Sequence, residues 1–197
     1  VQFYQSHSIP GVERVPPDSF ARVFRVENKI GFVEVRPLLA DSKLRVRILS
    51  EDAKTVSQTS RRIRRMFDLD CDPALIAKSF EPVPLLATLC RRFPGLRVAR
   101  GWDCFEIAIC TILGQLVSAG HREHLIGQLV SNYGEQVIDP STSKRSYLFP
   151  GAEVLASSDL SAVATTTARR EAIRDFSRRV LSGAVSLAED QVPAAFR

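Results

Sequence analysis

Hydrophobic and polar residues alternate along three stretches near the start of the chain, a pattern typical of β-strands. The stretches cover residues 20–27, 30–36 and 43–49, and the last has the clearest period of two. Antiparallel strands joined by short turns commonly keep one face in water. We therefore predict a three-stranded antiparallel sheet with a tight turn at Asn28-Lys29. The polar side chains expected on its wet face or edges are Arg36, Lys43, Arg45 and Arg47.

After residue 49 the period of the pattern becomes that of a helix. Ser50-Glu51-Asp52 offers an N-cap and early acidic charge, and apolar residues follow near helical spacing at 56, 63 and 67. A short helix is predicted to start at Asp72-Pro73. The other predicted helices cover about residues 82–92, 102–113, 118–133 and 168–182, and a polar surface loop is predicted from Asp139 to Ser146.

The order of these elements, strands first and helices afterwards, predicts an α+β fold. We assign residues 1–70 to an N-terminal antiparallel sheet domain and residues 71–197 to a helical domain, with the boundary near 68–73. Neither part contains a glycine-rich phosphate loop, a nucleophile elbow or an HExxH zinc motif. Because these motifs are absent, the sequence motifs assign no reaction to the chain.

The chain of 197 residues carries a net charge of +5 and has a pI near 9.3. A modest basic excess suits a polyanionic partner without requiring one. Arginines cluster within residues 61–65, at 91–92, at 169–170 and at 178–179. A solvated helix face explains these clusters as well as contact with phosphates does.

Other aspects of the composition favour a cytoplasmic protein without a metal or a cofactor. No stretch approaches the roughly 20 apolar residues that cross a bilayer, so no membrane partner is predicted. The 4 cysteines form no CxxC pair, which is typical of reduced thiols. His121 and His124 have a spacing that metal ligands can use, but no set of cysteine or carboxylate residues accompanies them, and no metal site is predicted.

Two segments give the chain a family resemblance. The first is RRMFDLDCDP at residues 64–73, and the second is PGLRVARGWDCFE at 94–106, which runs on to ILGQLVS at 112–118. Together with IPGVE at 9–13, their order and spacing resemble the bacterial 3-methyladenine DNA glycosylase II family, alkylpurine DNA glycosylases of the helix-hairpin-helix superfamily. The resemblance covers nearly all of the chain.

This resemblance implies a sheet domain like half of a TATA-binding protein, followed by helices of the glycosylase domain. It implies a base excision repair enzyme that flips alkylated purines of the 3-methyladenine type out of DNA and hydrolyses the N-glycosidic bond. The implied partner is double-stranded DNA with alkylated bases. No cofactor is implied, and we expect a monomer.

The segment from Gly114 to Ser118 is where the resemblance places the opening of DNA. A glycosylase reaches its bond only after the nucleotide leaves the stack, and an apolar wedge fills the gap. Gly114 can end one helix and Ser118 can cap the next, which leaves Gln115 and Leu116 at a tip. The resemblance assigns the wedge to Leu116 and the contact with the neighbouring base to Gln115. The residues alone favour packing of Leu116 between the two helices.

Two aromatic residues bear on the base pocket. Phe3 matches a family position that lines this pocket, where an aromatic face attracts an electron-poor alkylated purine. Because Phe3 lies at the start of the chain, disorder is an alternative. Trp102 is expected to pack at the start of a helix rather than to line the pocket.

The chain departs from the family at its ends. Family members continue past the part that matches residues 182–192 into a glycine-rich hairpin and then a catalytic aspartate. The expected aspartate lies beyond Arg197, so no catalytic residue is assigned, and Asp159, Asp175 and Asp190 occupy other positions. The opening strand of the family is also missing, and VATTTA at 163–168 replaces a small glycine-containing turn. We expect the chain alone to be inactive and to bind DNA weakly.

Two other functions stay open at this point. One is a non-catalytic DNA-binding module of an alkylation-response regulator, because domains of this family occur fused to such regulators. The other is a degenerate relative that serves as an interaction domain.

Overall fold

The structure is a computed structural model that describes residues 2–187, and it confirms the predicted α+β fold. The strands are β1 (Glu13–Arg14), β2 (Phe20–Val26), β3 (Lys29–Leu38), β4 (Lys43–Leu49), β5 (Glu135–Ile138) and β6 (Arg145–Leu148). The helices are α1 (Gln2–His7), α2 (Ala53–Met66), α3 (Pro73–Phe80), α4 (Pro84–Arg92), α5 (Cys104–Gly114), α6 (Ala119–Tyr133), α7 (Ala152–Ser157) and α8 (Thr167–Leu181). None of the helices between residues 2 and 187 combines the length and apolar character that a bilayer span requires.

The N-terminal sheet is an antiparallel meander in the order β1-β2-β3-β4. Its three longer strands confirm the predicted strands, with small shifts at their ends. The predicted turn is wrong by one position, because Val26 pairs with Lys29 and the turn residues are Glu27 and Asn28. Glu27 takes a left-handed φ of 53°, a conformation that tight hairpin turns use.

Both faces of β2 are covered, which contradicts the prediction of a sheet with one wet face. On one face, Phe20 and Phe24 belong to a core that includes residues of α2 and Trp102. On the other face, Val23 packs against Leu148 of β6. Water reaches the sheet mainly at the edge strand β4. The predicted polar side chains Arg36, Lys43, Arg45 and Arg47 are exposed.

The hairpin of β5 and β6 covers the second face of the sheet and was not predicted. The polar stretch predicted as a surface loop is the turn of this hairpin, and its last residues, Arg145 and Ser146, belong to β6. Asp139 stabilises the turn by accepting hydrogen bonds from the backbone N and the Oγ of Ser141 at 2.7 and 2.6 Å. Two strands of 4 residues each offer too few alternating positions to reveal this hairpin in the sequence.

A second hydrophobic core lies among the helices of the C-terminal half. α5 and α8 contribute the fully buried Ile109 and Ile173 to this core. Ile9 and Val12, which precede the sheet, also join it, whereas Trp102 joins the core of the sheet. Each core therefore takes side chains from both parts of the chain, and the division into residues 1–70 and 71–197 stays a prediction.

Helix α1 was not predicted, and it lies at the start of the part assigned to the N-terminal sheet domain. The hydroxyl of Tyr4 anchors it, at 2.6 Å from the carbonyl oxygen of Met66 and 3.0 Å from that of Arg100. Burial raises the pKa of this phenol, so the hydroxyl stays a neutral donor at physiological pH. The anchor fixes α1 against the segment between α4 and α5, and it thereby positions Phe3 and His7.

Candidate nucleic-acid interface

The corner between α5 and α6 carries the side chains that the resemblance assigned to the opening of DNA. Helix α5 ends at Gly114, Gln115 follows with an extended backbone, and Leu116 takes a left-handed φ of 57°. The side chain of Leu116 is 103% exposed, more than any other large hydrophobic residue of the described range. The alternative in which Leu116 packs between the two helices is therefore wrong.

Gly114 and Ser118 shape the two sides of this corner. A Cβ on Gly114 would lie 2.8 Å from the Cδ of Arg122, so the absence of a side chain lets α6 pack close to the end of α5. The left-handed conformation that often ends a helix falls on Leu116 and not on the glycine. Ser118 caps α6 as predicted, because its Oγ accepts a hydrogen bond from the backbone N of His121 at 3.3 Å.

A cleft of about 750 Å³ opens beside the corner, and Gly114, Gln115 and Phe3 all line it. Phe3 lies on α1 and is 49% exposed. Its ring stacks on the imidazole of His7, with the centroids 4.2 Å apart and an angle of 10° between the planes. The structure therefore brings the predicted pocket residue and the base-contacting residue of the corner to one cleft. Leu116 projects outside it.

A buried ion cluster of Glu13, Arg22 and Glu106 lies beside the cleft, and both glutamates line it. The Nη1 of Arg22 donates to Glu13 Oε1 at 2.9 Å and to Glu106 Oε2 at 3.0 Å, while its Nη2 donates to Glu106 Oε1 at 2.8 Å. The backbone N of Ile9 donates to the second oxygen of Glu13 at 3.0 Å. Bidentate arginine–carboxylate pairs are among the strongest hydrogen-bonded pairs in proteins. The cluster thus joins β1, β2 and α5.

Two carboxylates share one guanidinium in this cluster, so ionisation of both would leave a buried negative charge in excess. Burial raises the pKa of Glu13 and of Glu106, and the nearby Arg22 only partly offsets this rise. For Arg22 itself, burial favours the neutral form, but the two carboxylates outweigh it and raise its pKa. The pair of glutamates consequently holds a proton more readily than the same residues do in water.

Trp102 was expected to pack at the start of a helix, and it lies two residues before α5, is 3% exposed and belongs to the core of the sheet. Its ring centroid lies 5.3 Å from that of Phe24 and 4.6 and 5.1 Å from the guanidinium carbons of Arg22 and Arg62. Trp102 also lines the cleft, which was not expected. It therefore gives the cleft an apolar wall with a positively charged side chain against its ring.

Several members of the arginine clusters are held by contacts within the protein. Arg64 pairs with an aspartate six positions on, and Arg179 pairs with an aspartate four positions before it. Arg169 donates to the carbonyl oxygen of Gln115 at 2.7 Å, so part of the cluster on α8 supports the corner. Arg64 and Arg179 remain more than half exposed, as on a solvated helix face, and contact with phosphates stays a prediction.

His121 and His124 are both exposed on α6. Between residues 2 and 187, no three histidine, cysteine, aspartate or glutamate side chains come together as a metal site requires. The absence of a metal nevertheless stays a prediction. Of the aspartates considered from the sequence, Asp159 binds Ser161 and Asp175 pairs with Arg179, and neither lines the cleft. Asp190 lies outside the described residues.

Reasoning from the sequence missed the ion cluster, although the sequence carries a signal for it. Glu106 is the only charged residue of helix Cys104–Gly114, and Arg22 lies on the same face of β2 as Phe20 and Phe24. A single charge among core positions predicts a buried partner of opposite charge. The stacking of His7 on Phe3 had no such signal, because α1 itself was not predicted.

Comparisons with known proteins show which family the chain belongs to. The profile of the AlkA N-terminal domain family matches residues 1–103. A probable bifunctional transcriptional activator/DNA repair enzyme AlkA of Mycobacterium tuberculosis H37Rv is 31% identical over 166 residues, which are 84% of this chain and 33% of that protein. DNA-3-methyladenine glycosylase 2 of Escherichia coli K12 is 27% identical over 188 residues, 94% of this chain and 64% of the relative.

A similar fold occurs in the 3-methyladenine DNA glycosylase of Archaeoglobus fulgidus, with a TM-score of 0.72. The sequences are 18% identical, and the similarity covers 90% of this chain and 61% of that one. The chain thus spans between a third and two thirds of the length of these proteins. The profile match over residues 1–103 shows that the chain belongs to the AlkA N-terminal domain family, and it confirms the resemblance to the bacterial 3-methyladenine DNA glycosylases II.

Proposed function

We propose that this chain is the DNA-opening part of a repair glycosylase for alkylated purines, and that Leu116 is the wedge that enters the duplex. The observation that carries the proposal is the complete exposure of a leucine at the corner between two packed helices. The side chain of Leu116 is not buried in the free protein, so in this proposal its contribution comes from contact with DNA.

The physical role of Leu116 follows from the cost of flipping a nucleotide. Unstacking costs a few kcal/mol, and an apolar side chain that fills the vacated space recovers part of this cost. Leu116 projects past the ends of both helices, while Gln115 lines the cleft behind it. Gln115 is therefore placed to contact a base next to the flipped nucleotide. Ser118 caps the start of α6 on the other side of Leu116.

The flipped base enters the cleft lined by Phe3 in this proposal. Its volume of about 750 Å³ lies within the range of ligand pockets. The ring of Phe3 offers an aromatic face, and the carboxyl groups of Glu13 and Glu106 also line the cleft. An aromatic face and nearby carboxylates both favour a positively charged, alkylated purine over a neutral one.

We further propose that these 197 residues alone do not hydrolyse the glycosidic bond. Between residues 2 and 187, the carboxylates that line the cleft are Glu13 and Glu106, and both hydrogen-bond to Arg22. Neither is available to stabilise the positive charge that develops on the sugar in the transition state. Release of alkylated base from methylated duplex DNA by the purified chain would overturn this part of the proposal.

A second candidate function is a non-catalytic DNA-binding module of an alkylation-response regulator. The name of the Mycobacterium tuberculosis relative, which combines a transcriptional activator with a DNA repair enzyme, supports it. The two functions share the wedge and differ in whether base release follows. A module of this kind binds DNA without preferring an alkylated base, whereas the glycosylase binds alkylated DNA more tightly.

The test of the wedge is the binding of the chain to a fluorescent duplex that contains an abasic-site analogue, at two salt concentrations. We expect Leu116→Ala to weaken binding about tenfold at both concentrations, because the lost contribution is apolar burial. Leu39→Ala is the matched control, since Leu39 is 85% exposed but lies after β3, in another part of the fold. Equal affinities of wild type and Leu116→Ala would remove the basis of the proposal.

A further inference from the structure

A single arginine of α8 supports the corner that carries Leu116. Arg169 lies in the first turn of α8, and its Nη2 donates to the carbonyl oxygen of Gln115 at 2.7 Å. Its Nη1 donates to the Oγ1 of Thr165 at 3.0 Å. One guanidinium therefore joins the start of α8 to the residue that immediately precedes Leu116.

The corner needs such support for two reasons. The last carbonyl groups of a helix have no partner within the helix, and a charged donor satisfies one of them at the end of α5. The left-handed backbone of Leu116 is costly for a residue with a Cβ and persists only where the surroundings impose it. A hydrogen bond to Gln115 fixes the peptide plane that leads into this conformation.

The threonine-rich segment at 163–168 supplies the second half of this arrangement. Thr166 caps α8, since its side chain accepts a hydrogen bond from the backbone N of Arg169 at 3.3 Å. The neighbouring Thr165 then orients the guanidinium through its hydroxyl. The segment thus provides a cap and an acceptor for the same arginine.

We propose that Arg169, oriented by Thr165, is a positioning residue that holds Leu116 in its projecting conformation. This inference rests on the proposed function of Leu116 as the wedge. In this inference, Arg169 affects DNA binding by holding the corner between α5 and α6 and not by contacting a phosphate. A direct phosphate contact is the competing role for an arginine in a protein of this kind.

The experiment compares the full chain with Arg169→Met, Arg169→Lys and Thr165→Val. The probe is a duplex with 2-aminopurine next to an abasic-site analogue, because an inserted side chain unstacks the 2-aminopurine and raises its fluorescence. Arg178→Met is the matched control, since it removes one exposed arginine from the other end of α8. Urea unfolding of each variant verifies that it is folded. If Arg169→Met fails to fold, Arg169→Lys takes its place, because lysine keeps the positive charge.

We expect Arg169→Met to bind about tenfold more weakly and to lose most of the fluorescence rise, with a smaller loss for Thr165→Val. When Arg169→Met is combined with Leu116→Ala, it should cause no further loss of DNA affinity, because both changes remove the same interaction, the insertion of Leu116. The dependence of affinity on salt should stay that of the wild type.

Two results would overturn the inference, and they differ from a failure of the proposed function. One is an additive loss in the double variant, and the other is a decrease of about 0.9 in the salt slope, which marks a lost phosphate contact. Either result leaves the wedge intact. If Leu116→Ala itself has no effect on affinity or fluorescence, the wedge and the inference from it are both wrong.

Discussion

Two sites of the molecule break the rule that apolar side chains lie inside and charged ones outside, and they break it in opposite directions. Arg22, with its glutamate partners, is charged and buried among the strands and α5. Leu116 is apolar and fully exposed at the corner of α5 and α6. Both sites involve the same helix, one through Glu106 near its start and the other directly after its end.

The difference between them lies in where the partner is. Each polar hydrogen that Arg22 directs at the glutamates has an acceptor within the protein, so the buried charge is compensated in the folded state. Leu116 has no apolar surface to contact in the described part of the chain, and its backbone is strained as well. The fold itself therefore accounts for the buried charge, whereas the proposed function of Leu116 depends on a partner from outside.

The largest expected effect follows from breaking the buried site. Replacing Arg22 by methionine leaves two buried carboxylates without their cation, and we expect the free energy of unfolding to fall by about 3–5 kcal/mol. Urea unfolding followed by circular dichroism measures this change. Because Arg22 does not contact Leu116, adding Leu116→Ala to a folded Arg22→Met variant should weaken DNA binding as much as it does in the wild type.

The matched control is Arg25→Met in the same strand. Arg25 pairs with Glu135 at 2.7 Å, but the side chains are 42% and 50% exposed, so water solvates both charges after the replacement. Its effect on stability should be much smaller than that of Arg22→Met. Similar losses for the two variants would show that burial does not distinguish these ion pairs.

The next largest effect is expected from Leu116→Gly, which should weaken DNA binding but increase the stability of the fold. Leu116→Gly removes the wedge and relieves the left-handed backbone at φ 57°. We expect DNA affinity to fall about tenfold. The free energy of unfolding should rise by up to about 1 kcal/mol.

Leu116→Ala separates the two contributions, because alanine removes the wedge but keeps the Cβ that makes the backbone costly. Both variants should bind DNA equally weakly, and only the glycine variant should gain stability over alanine. A large loss of stability in either variant would mean that Leu116 packs in solution, and the contrast with Arg22 would then disappear.

The sequence was sufficient for the sheet and for the longer helices, because their patterns extend over many residues. β4 and α6 were predicted nearly to their ends. The hairpin of β5 and β6 and the short α1 were missed, since 4 to 6 residues hold no more than about two periods of a strand or helix pattern. The hairpin of β5 and β6 covers the second face of the sheet, so the wrong prediction of a wet face followed from missing the hairpin.

For the candidate site, the sequence located the corner through resemblance and not through its residues. Considered alone, Leu116 favoured burial, because nothing local distinguishes a leucine that projects from one that packs. The ion cluster depends on contacts between residues 13, 22 and 106, and only the fold brings them together. The support from Arg169 to Gln115 spans 54 positions and was equally hidden. Local patterns carry no information on such distant pairs.

The smallest expected effect concerns the excess carboxylate of the buried site. Because burial raises the pKa of Glu13, the folded protein binds its proton more tightly than the unfolded chain does. The contribution of Glu13 to stability is therefore fully present below the unfolded pKa and is lost as the pH rises through the folded pKa. Glutamine keeps the shape of the protonated acid and does not titrate. The free energy of unfolding of Glu13→Gln, relative to wild type, should accordingly increase as the pH rises above the unfolded pKa of glutamate.

Urea unfolding at a series of pH values measures this change in slope, and Glu106→Gln tests whether the two glutamates share one proton. Since they titrate as a coupled pair, either replacement should remove most of the pH dependence that the cluster contributes. The replacement of Glu106 should lower the free energy of unfolding more than that of Glu13 at every pH. Glu106 forms two hydrogen bonds with Arg22, whereas Glu13 forms one. If wild type and Glu13→Gln stay parallel over the whole range, both carboxylates are ionised in the folded protein, and the excess negative charge beside the cleft is permanent.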